Sequence, residues 1–444
     1  MKLTHSMRWS GLALALVLAA SGCRGVATRG EQQQRQSLAA TGQLRPATLP
    51  PFTAQSPLRA AVMFGVQNQP TVVAAYEDWA AAVENITVAR SLPDPKLTFQ
   101  AYIQDSLTSL MPGLTMDIPG YGKRDARAAV ATAESRAKYF QFVQAAQQAA
   151  FDVQKSYYPL HFLEAKLAVN RQTLRLLGEL EALARGQNEV GQGSLQDVLK
   201  VQIEQKKLQT DTTNLEDSRT LLLAQFKAAL GLRPDQPDPA VPQPDFTDNG
   251  ADDEAFLAGW QQTHPQLQAL RAEIELAGAN LQMAVREKNP DFSVGLQAEV
   301  YEPPFYWPSA GVSLPIWRDK LAAERAAAEA GLRSARARLS AGEITLATSY
   351  AEKSFAVRSA DRQLRLLRQE ILPRARQSLE IAQAAYRAGR VDFLNVIDAE
   401  RALLNFQLDE IAAQIERETA RAELILLVAA QPVTTPPAQA THAP

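Results

Sequence analysis

Apolar and polar positions along the chain follow two periods, and each stretch keeps to one of them. Apolar residues recur three or four apart at Leu364, Leu367, Ile371, Ala375 and Leu379, and again at Leu404, Leu408, Ile411 and Ile415. That spacing predicts helices with a lengthwise packing seam. Strict alternation elsewhere predicts strands with one apolar face. Leu97, Phe99, Ala101 and Ile103 alternate with Thr98, Gln100 and Tyr102, and the return carries Leu114, Met116 and Ile118 against Thr115 and Asp117. A second set places Phe292, Val294, Leu296, Ala298 and Val300 against Ser293, Gln297 and Glu299, returning through Val312 and Leu314. After each pair of strands the helical pattern runs on without a strong stop, over 120–190 and 317–388. At 1.5 Å per residue each run is roughly 100 Å of helix, far more than a globular domain needs. Pro159 and Pro373 should each kink or break its run locally.

The punctuation is written twice. Pro70 recurs as Pro265 and Pro95 as Pro290, both 195 residues on; Pro119 recurs as Pro315 after 196, and Gly191 as Gly389 and Pro234 as Pro432 after 198. Chance prolines would not hold register over a whole chain, so the sequence is a duplication of one order: helix, hairpin, long helical pair. The first helix of each copy covers about 71–91 and 265–287. The copies span 61–235 and 256–432, separated by a Pro- and Asp-rich connector at 236–255 and followed by a flexible tail at 433–444.

Each long helical pair turns at glycine. In "YRAGRVDFLNVIDAERALL", Gly389 interrupts helix-forming sequence, and Gly191 or Gly193 does so in "VGQGSLQDVLK". Glycine adopts the left-handed backbone needed where one helix ends and an antiparallel one begins. Asp392 and Ser194 stand where the following helix needs an N-terminal cap, and Ser194 with Asp197 has capping-box spacing.

Charge excludes more than it suggests. The 46 Lys and Arg nearly balance the 48 Asp and Glu, so no nucleic-acid partner is expected. No cofactor or metal site is expected either. The four histidines are scattered, the methionines make no ligand cluster, and there is neither a phosphate-cradling glycine loop nor a nucleophile elbow, so the chain is not read as an enzyme. Beyond residue 20 no apolar run approaches the roughly 20 residues of a spanning helix. At the front, Lys2 and Arg8 precede the apolar stretch Leu12 to Ala20 and then Cys23, the single cysteine. That is a secretory signal over 1–22, with Cys23 resembling a bacterial lipoprotein attachment site; an ordinary signal with an incidental cysteine is the alternative. Residues 23–60 are read as a lipidated extended segment, and Arg24 in place of Asp suits the outer membrane.

Four alternating segments of about nine residues suit outer-membrane strands. Four strands cannot close, and open edges are not tolerated in lipid, so three chains would have to supply a twelve-stranded barrel. Aromatic residues lie where interfacial girdles belong: Tyr301, Phe305, Tyr306 and Trp307 between the second pair of strands, and Tyr121 and Trp317 after the return strands. A water-soluble coiled-coil protein with two ordinary hairpins would explain the helices equally well, but not the signal or the girdles.

From about residue 60 to 432 the chain resembles the TolC-like outer-membrane factors of tripartite efflux pumps, in particular the lipoprotein branch serving cation and drug efflux. The resemblance lies in the duplicated order, in "LPIWRDKLAAERAAAEA" and in "YRAGRVDFLNVIDAERALL". It implies a mainly helical fold with a small β part, forming a homotrimeric barrel in outer-membrane lipid that continues into a periplasmic helical tunnel. It implies a passive conduit for small molecules or metal cations, working with a periplasmic adaptor and an inner-membrane RND-type pump. It further implies a gate where helix turns narrow the tunnel: Asp398 as a ring of carboxylates, with Asn395 replacing a second acid and Lys200 at the first-copy position matching Asp398. Tyr386 and Asp197 match positions that tie the tips shut. The basic residue expected two places after Gly389 is Val391, for which Arg387 or Arg390 could substitute; Gly191, Gly193, Gly389, Arg390 and Val391 would form the tip that meets the adaptor. A solvated helix face is the plainer role for Asp398. A duct for type I protein secretion, or a periplasmic coiled-coil lipoprotein without a channel, are the alternative functions.

Overall fold

A computed structural model describes residues 27–43, 52–104, 106–191, 193–244, 264–299 and 305–428. The proposed signal at 1–22, Cys23, Val300, Tyr301, residues 245–255 of the connector and the tail at 433–444 lie outside the described residues. The elements in order are α1 (Arg29–Gln43), α2 (Leu58–Asn68), α3 (Pro70–Arg90), β1 (Lys96–Gln104), β2 (Ser106–Ile118), α4 (Lys123–Glu189), α5 (Leu195–Ala229), α6 (Pro265–Arg286), β3 (Asp291–Glu299), β4 (Phe305–Ser313), α7 (Arg318–Leu366), a π-helical turn (Leu367–Ile371), α8 (Leu372–Arg387) and α9 (Phe393–Val428). Helix, hairpin and long helical pair thus occur twice in the same order.

The chain divides into two compact units: Met1–Gln43, Tyr76–Phe140 and Ala269–Leu339 form one, and Leu44–Ala75, Gln141–Gln268 and Ser340–Pro444 the other. In the first unit the four strands make one antiparallel sheet in the order β1-β2-β3-β4. The two hairpins are joined by β2 pairing with β3, with Leu114 opposite Leu296 and Ile118 opposite Phe292. Sheet and helices are tied at the foot of the strands. Lys123 is buried there and pairs with Glu287 at 3.1 Å and Asp291 at 2.9 Å, while the Gly120 amide donates to Asp291 at 2.7 Å.

The 23–60 segment is not extended throughout. Residues 29–43 are helical because Gln, Ala and Arg favour helix, and because Glu31 fastens the helix to α3. That carboxylate is 1% exposed and accepts from Arg90 at 2.5 Å, Thr87 at 2.8 Å and Arg35 at 3.2 Å, while Arg35 also forks onto Glu84 at 2.7 and 2.8 Å. A carboxylate so completely bonded offsets its desolvation.

In the second unit α2 packs its buried Leu58, Ala61, Val62 and Val66 inward. Gly65 lets it approach α4 and α5, because a Cβ there would sit 2.5 Å from a Val153 methyl. The two prolines behave differently. Helix α4 runs unbroken for 67 residues through Pro159, held by the fully buried Tyr157, whose hydroxyl donates to the Pro242 carbonyl at 2.9 Å. Tertiary packing there overrides the missing amide. Before Pro373 the helix instead widens into the π-turn Leu367–Ile371, and Pro373 falls in the first turn of α8, where its N–H is not needed.

Candidate functional site

Two places carry the chemistry that the sequence singles out, one in each unit. The first is the sheet. Its register puts Leu97 opposite Leu114, Leu114 opposite Leu296, Ile118 opposite Phe292, Val294 opposite Ala310 and Phe292 opposite Val312. Paired residues share a face, so these side chains form one continuous apolar surface, and Leu97, Phe99, Leu114, Ile118, Phe292, Val294, Leu296 and Val312 are all exposed. The opposite face joins Thr98 to Gly113 and Gln297, and Thr115 to Gly295 and Ser309. It is crowded as well as polar: a Cβ on Gly113 would lie 2.6 Å from Gln297, and one on Gly295 2.6 Å from Ser309. Glycine leaves room there for the neighbouring side chains, which would have to shift to admit a Cβ. Strands β1 and β4 are the two ends of the sheet order. At the start of β4 Tyr306, opposite Ala298, lies on the apolar face, whereas Phe305 and Trp307, opposite Glu299 and Gln297, lie on the polar one; all three are exposed, as are Tyr121 at 86% and Trp317 at 73%.

The second place is the pair of helix turns. Gly389 has φ +66 and Gly191 φ +73, and no neighbouring atom lies within 4 Å of a Cβ built on either, so the backbone alone demands glycine. At the second turn the Gly389 amide donates to Tyr386 and the Arg390 amide to Ala385, both at 2.9 Å, which is the Schellman pattern. Of the two first-copy candidates Gly191 holds the left-handed position. Gly193 serves differently: its amide donates to the Gln187 carbonyl at 2.9 Å, and a Cβ would stand 3.0 Å from Gln187. Ser194 then caps α5, accepting from the Gln196 amide at 3.0 Å, and Asp197 reaches back to the Ser194 amide at 3.3 Å. Asp392 immediately precedes α9, and its carbonyl accepts from the Asn395 amide at 3.1 Å.

The residues proposed for a gate separate into buried and exposed sets. Tyr386 is buried, edge-on to Phe393 with ring centres 5.0 Å apart. Its hydroxyl makes no hydrogen bond, to Asp197 or otherwise, and burial with the Asp197 charge raises its pKa. Asp197 is half-buried and lies 4.0 Å from Lys200. Asn395 and Asp398 share an exposed face of α9, and Asp398 stands 3.8 Å from Arg401. Arg390 is exposed, whereas Val391 packs onto the apolar cluster of Leu180, Val198, Tyr386 and Phe393.

Several charged groups beside the turns were not singled out from sequence. Glu181 on α4 accepts from Arg185 at 2.7 Å, Gln202 at 2.8 Å and Gln205 at 3.1 Å, and these bonds, that of Gln202 foremost, hold its carboxyl down at about 2. Arg401 on α9 bonds Glu204 on α5. The two are 197 residues apart, and no local sequence pattern pairs them. Among the described residues no group of His, Cys, Asp and Glu could hold a metal ion, and no helix is long and apolar enough to cross a membrane.

Residues 66–232 and 260–430 match the description "Outer membrane efflux protein". The chain belongs to the outer membrane efflux protein family. A relative, the pyoverdine export outer membrane protein OpmQ of Pseudomonas putida, is 27% identical over 165 residues, and the match spans about a third of each chain (34% of both). Among solved structures, the outer membrane protein VceC of Vibrio cholerae matches with a TM-score of 0.70 at 18% identity, over 84% of this chain and 95% of that one. CusC matches with a TM-score of 0.71 at 15% identity, over 86% and 97%. The CmeC outer membrane channel of Campylobacter jejuni gives 0.71 at 11% identity, over 87% and 91%. At these identities the structures establish the fold: this efflux family member has the mainly helical, small-sheet fold of TolC-like channel proteins, which are not enzymes.

Proposed function

We propose that the chain is one third of an outer-membrane efflux duct, a passive conduit that carries small molecules or metal cations outward. The observation that carries this reading is the four-stranded sheet with one exposed apolar face and one polar face. An apolar face of that extent needs lipid, and in lipid the ends of the sheet at β1 and β4 must be paired. Three copies would close twelve strands, with apolar side chains outward and Thr98, Thr115 and Gln297 lining the lumen. Tyr121 and Trp317 would sit at one lipid–water boundary and Tyr306, which shares the apolar face with Ala298, at the other.

The helical pairs would then form the periplasmic conduit, their glycine turns meeting an adaptor that links to an inner-membrane RND-type pump, which supplies the energy. Exposed Asp398 from three copies would make a carboxylate ring favouring cations, and Cys23 would carry the lipid anchor. The partial match to a pyoverdine export protein supports small-molecule cargo. Planar-bilayer recording on the purified full-length protein tests the reading. Discrete cation-preferring conductance is expected, with the preference reduced in Asp398→Arg. Absence of any conductance from well-inserted protein contradicts the duct, and an unchanged preference removes Asp398 from the constriction.

A further inference from the structure

Glu400 is an unusual residue to find in the wall of a helical bundle. It lies on α9 one turn past Val396 and Ile397, is 2% exposed, and its Oε1 is buried without a hydrogen-bond partner. A second carboxylate, Glu204, faces it from α5 and is bonded by Arg401, whose guanidinium is also 3.8 Å from Asp398. One cation therefore serves three carboxyl groups. Lys207 on α5 acts on Glu204. From α8 the cluster receives uncharged Leu379 and Ala382, with Arg376 and Glu380 exposed, and on α4 Glu181 is already engaged by Arg185, Gln202 and Gln205. No further cation reaches Glu400 from these helices.

We propose that Glu400, Glu204 and Arg401 form a proton-sensitive latch between α5 and α9 of one chain: neutral Glu400 lets the helices pack, and its ionisation beside Glu204 loosens them. A buried carboxyl without a partner is tolerated when neutral and strongly disfavoured when charged. Burial raises the Glu400 pKa to about 7, the Glu204 charge adds to the rise and Arg401 opposes it. Because the packed-state value lies above the ordinary 4.5, the stabilisation is fully present below about 4.5 and is lost as pH rises through about 7. The latch stands on the chain itself; only its effect on transport rests on the duct reading.

Hydrogen exchange of the full-length protein in detergent, corrected for intrinsic exchange rates, tests it. The α5 segment 195–208 and the α9 segment 393–405 should lose protection by roughly 25-fold between pH 5.5 and 8, the linkage expected from those two pKa values. Glu400→Gln should abolish the pH response. A wild-type protein with flat protection, or a variant with the same slope, overturns the latch. Should Glu400→Gln fail to fold, Glu204→Gln serves instead: removing the neighbouring charge and freeing Arg401 should move the midpoint toward acid, and an unmoved midpoint overturns the proposal. A protein that exchanges as expected but passes no current would keep the latch and lose the duct.

Discussion

The two helix turns share a backbone and differ in wiring. Gly191 and Gly389 have nearly the same positive φ, and the helices on either side run antiparallel in both copies. In the first copy the carboxylates are consumed by structure: Asp197 completes a capping box and Glu181 is held by three donors. In the second copy Asp398 is exposed, Glu400 is buried without a full set of partners, and the helix leading in contains a π-turn. Duplication therefore preserved the turn and divided the labour. One pair is stiffened by its own hydrogen bonds, and the other keeps one buried carboxyl oxygen, that of Glu400, without a partner, which is the condition for responding to something outside the chain.

The comparison can be broken from both sides. The largest expected effect is in the packing that both turns share: Phe393→Ala removes a side chain 1% exposed and should destabilise the helical unit by about 3–5 kcal/mol, read from thermal unfolding in detergent. Next come the turns themselves. Gly191→Ala and Gly389→Ala should each cost about 1–2 kcal/mol, because only backbone conformation is involved; markedly unequal losses would show that the turns are not equivalent. Ser194→Ala should cost about 1 kcal/mol through loss of the α5 cap, checked by the same unfolding transition. The subtlest difference is one of sign with pH. Glu181, depressed in the folded state to about 2, contributes stability present above about 4.5 and lost as pH falls toward 2. Glu181→Gln should flatten that acid limb, whereas Glu400 acts in the opposite direction near neutrality.

Much of this was legible in sequence because the signals were local and periodic. Strict alternation located β1 and β3 and the far halves of β2 and β4, but Phe305, Tyr306 and Trp307, expected between the strands, are the start of β4; the proline and glycine register located both turns, and Ser194 with Asp197 announced its capping box. Three features were not legible. Helix α1 depends on Glu31 finding Arg90 and Thr87 across about sixty residues of chain, which no local pattern encodes. Pro159 passes through a helix because Tyr157 is fixed from the connector side by Pro242, a tertiary override of a local rule. The charge cluster of Glu204, Glu400 and Arg401 combines residues that look like ordinary solvated helix positions until packing buries one of them. Asp398 behaved as its sequence position implies, exposed on the face it shares with Asn395.

The duct reading turns on whether the sheet is finished by sibling chains. Native mass spectrometry of the full-length protein released from detergent measures that directly. Three chains per particle is the expected result, because four strands with an exposed apolar face cannot stand alone in lipid. A particle of one chain, stable in water after removal of detergent, would contradict it.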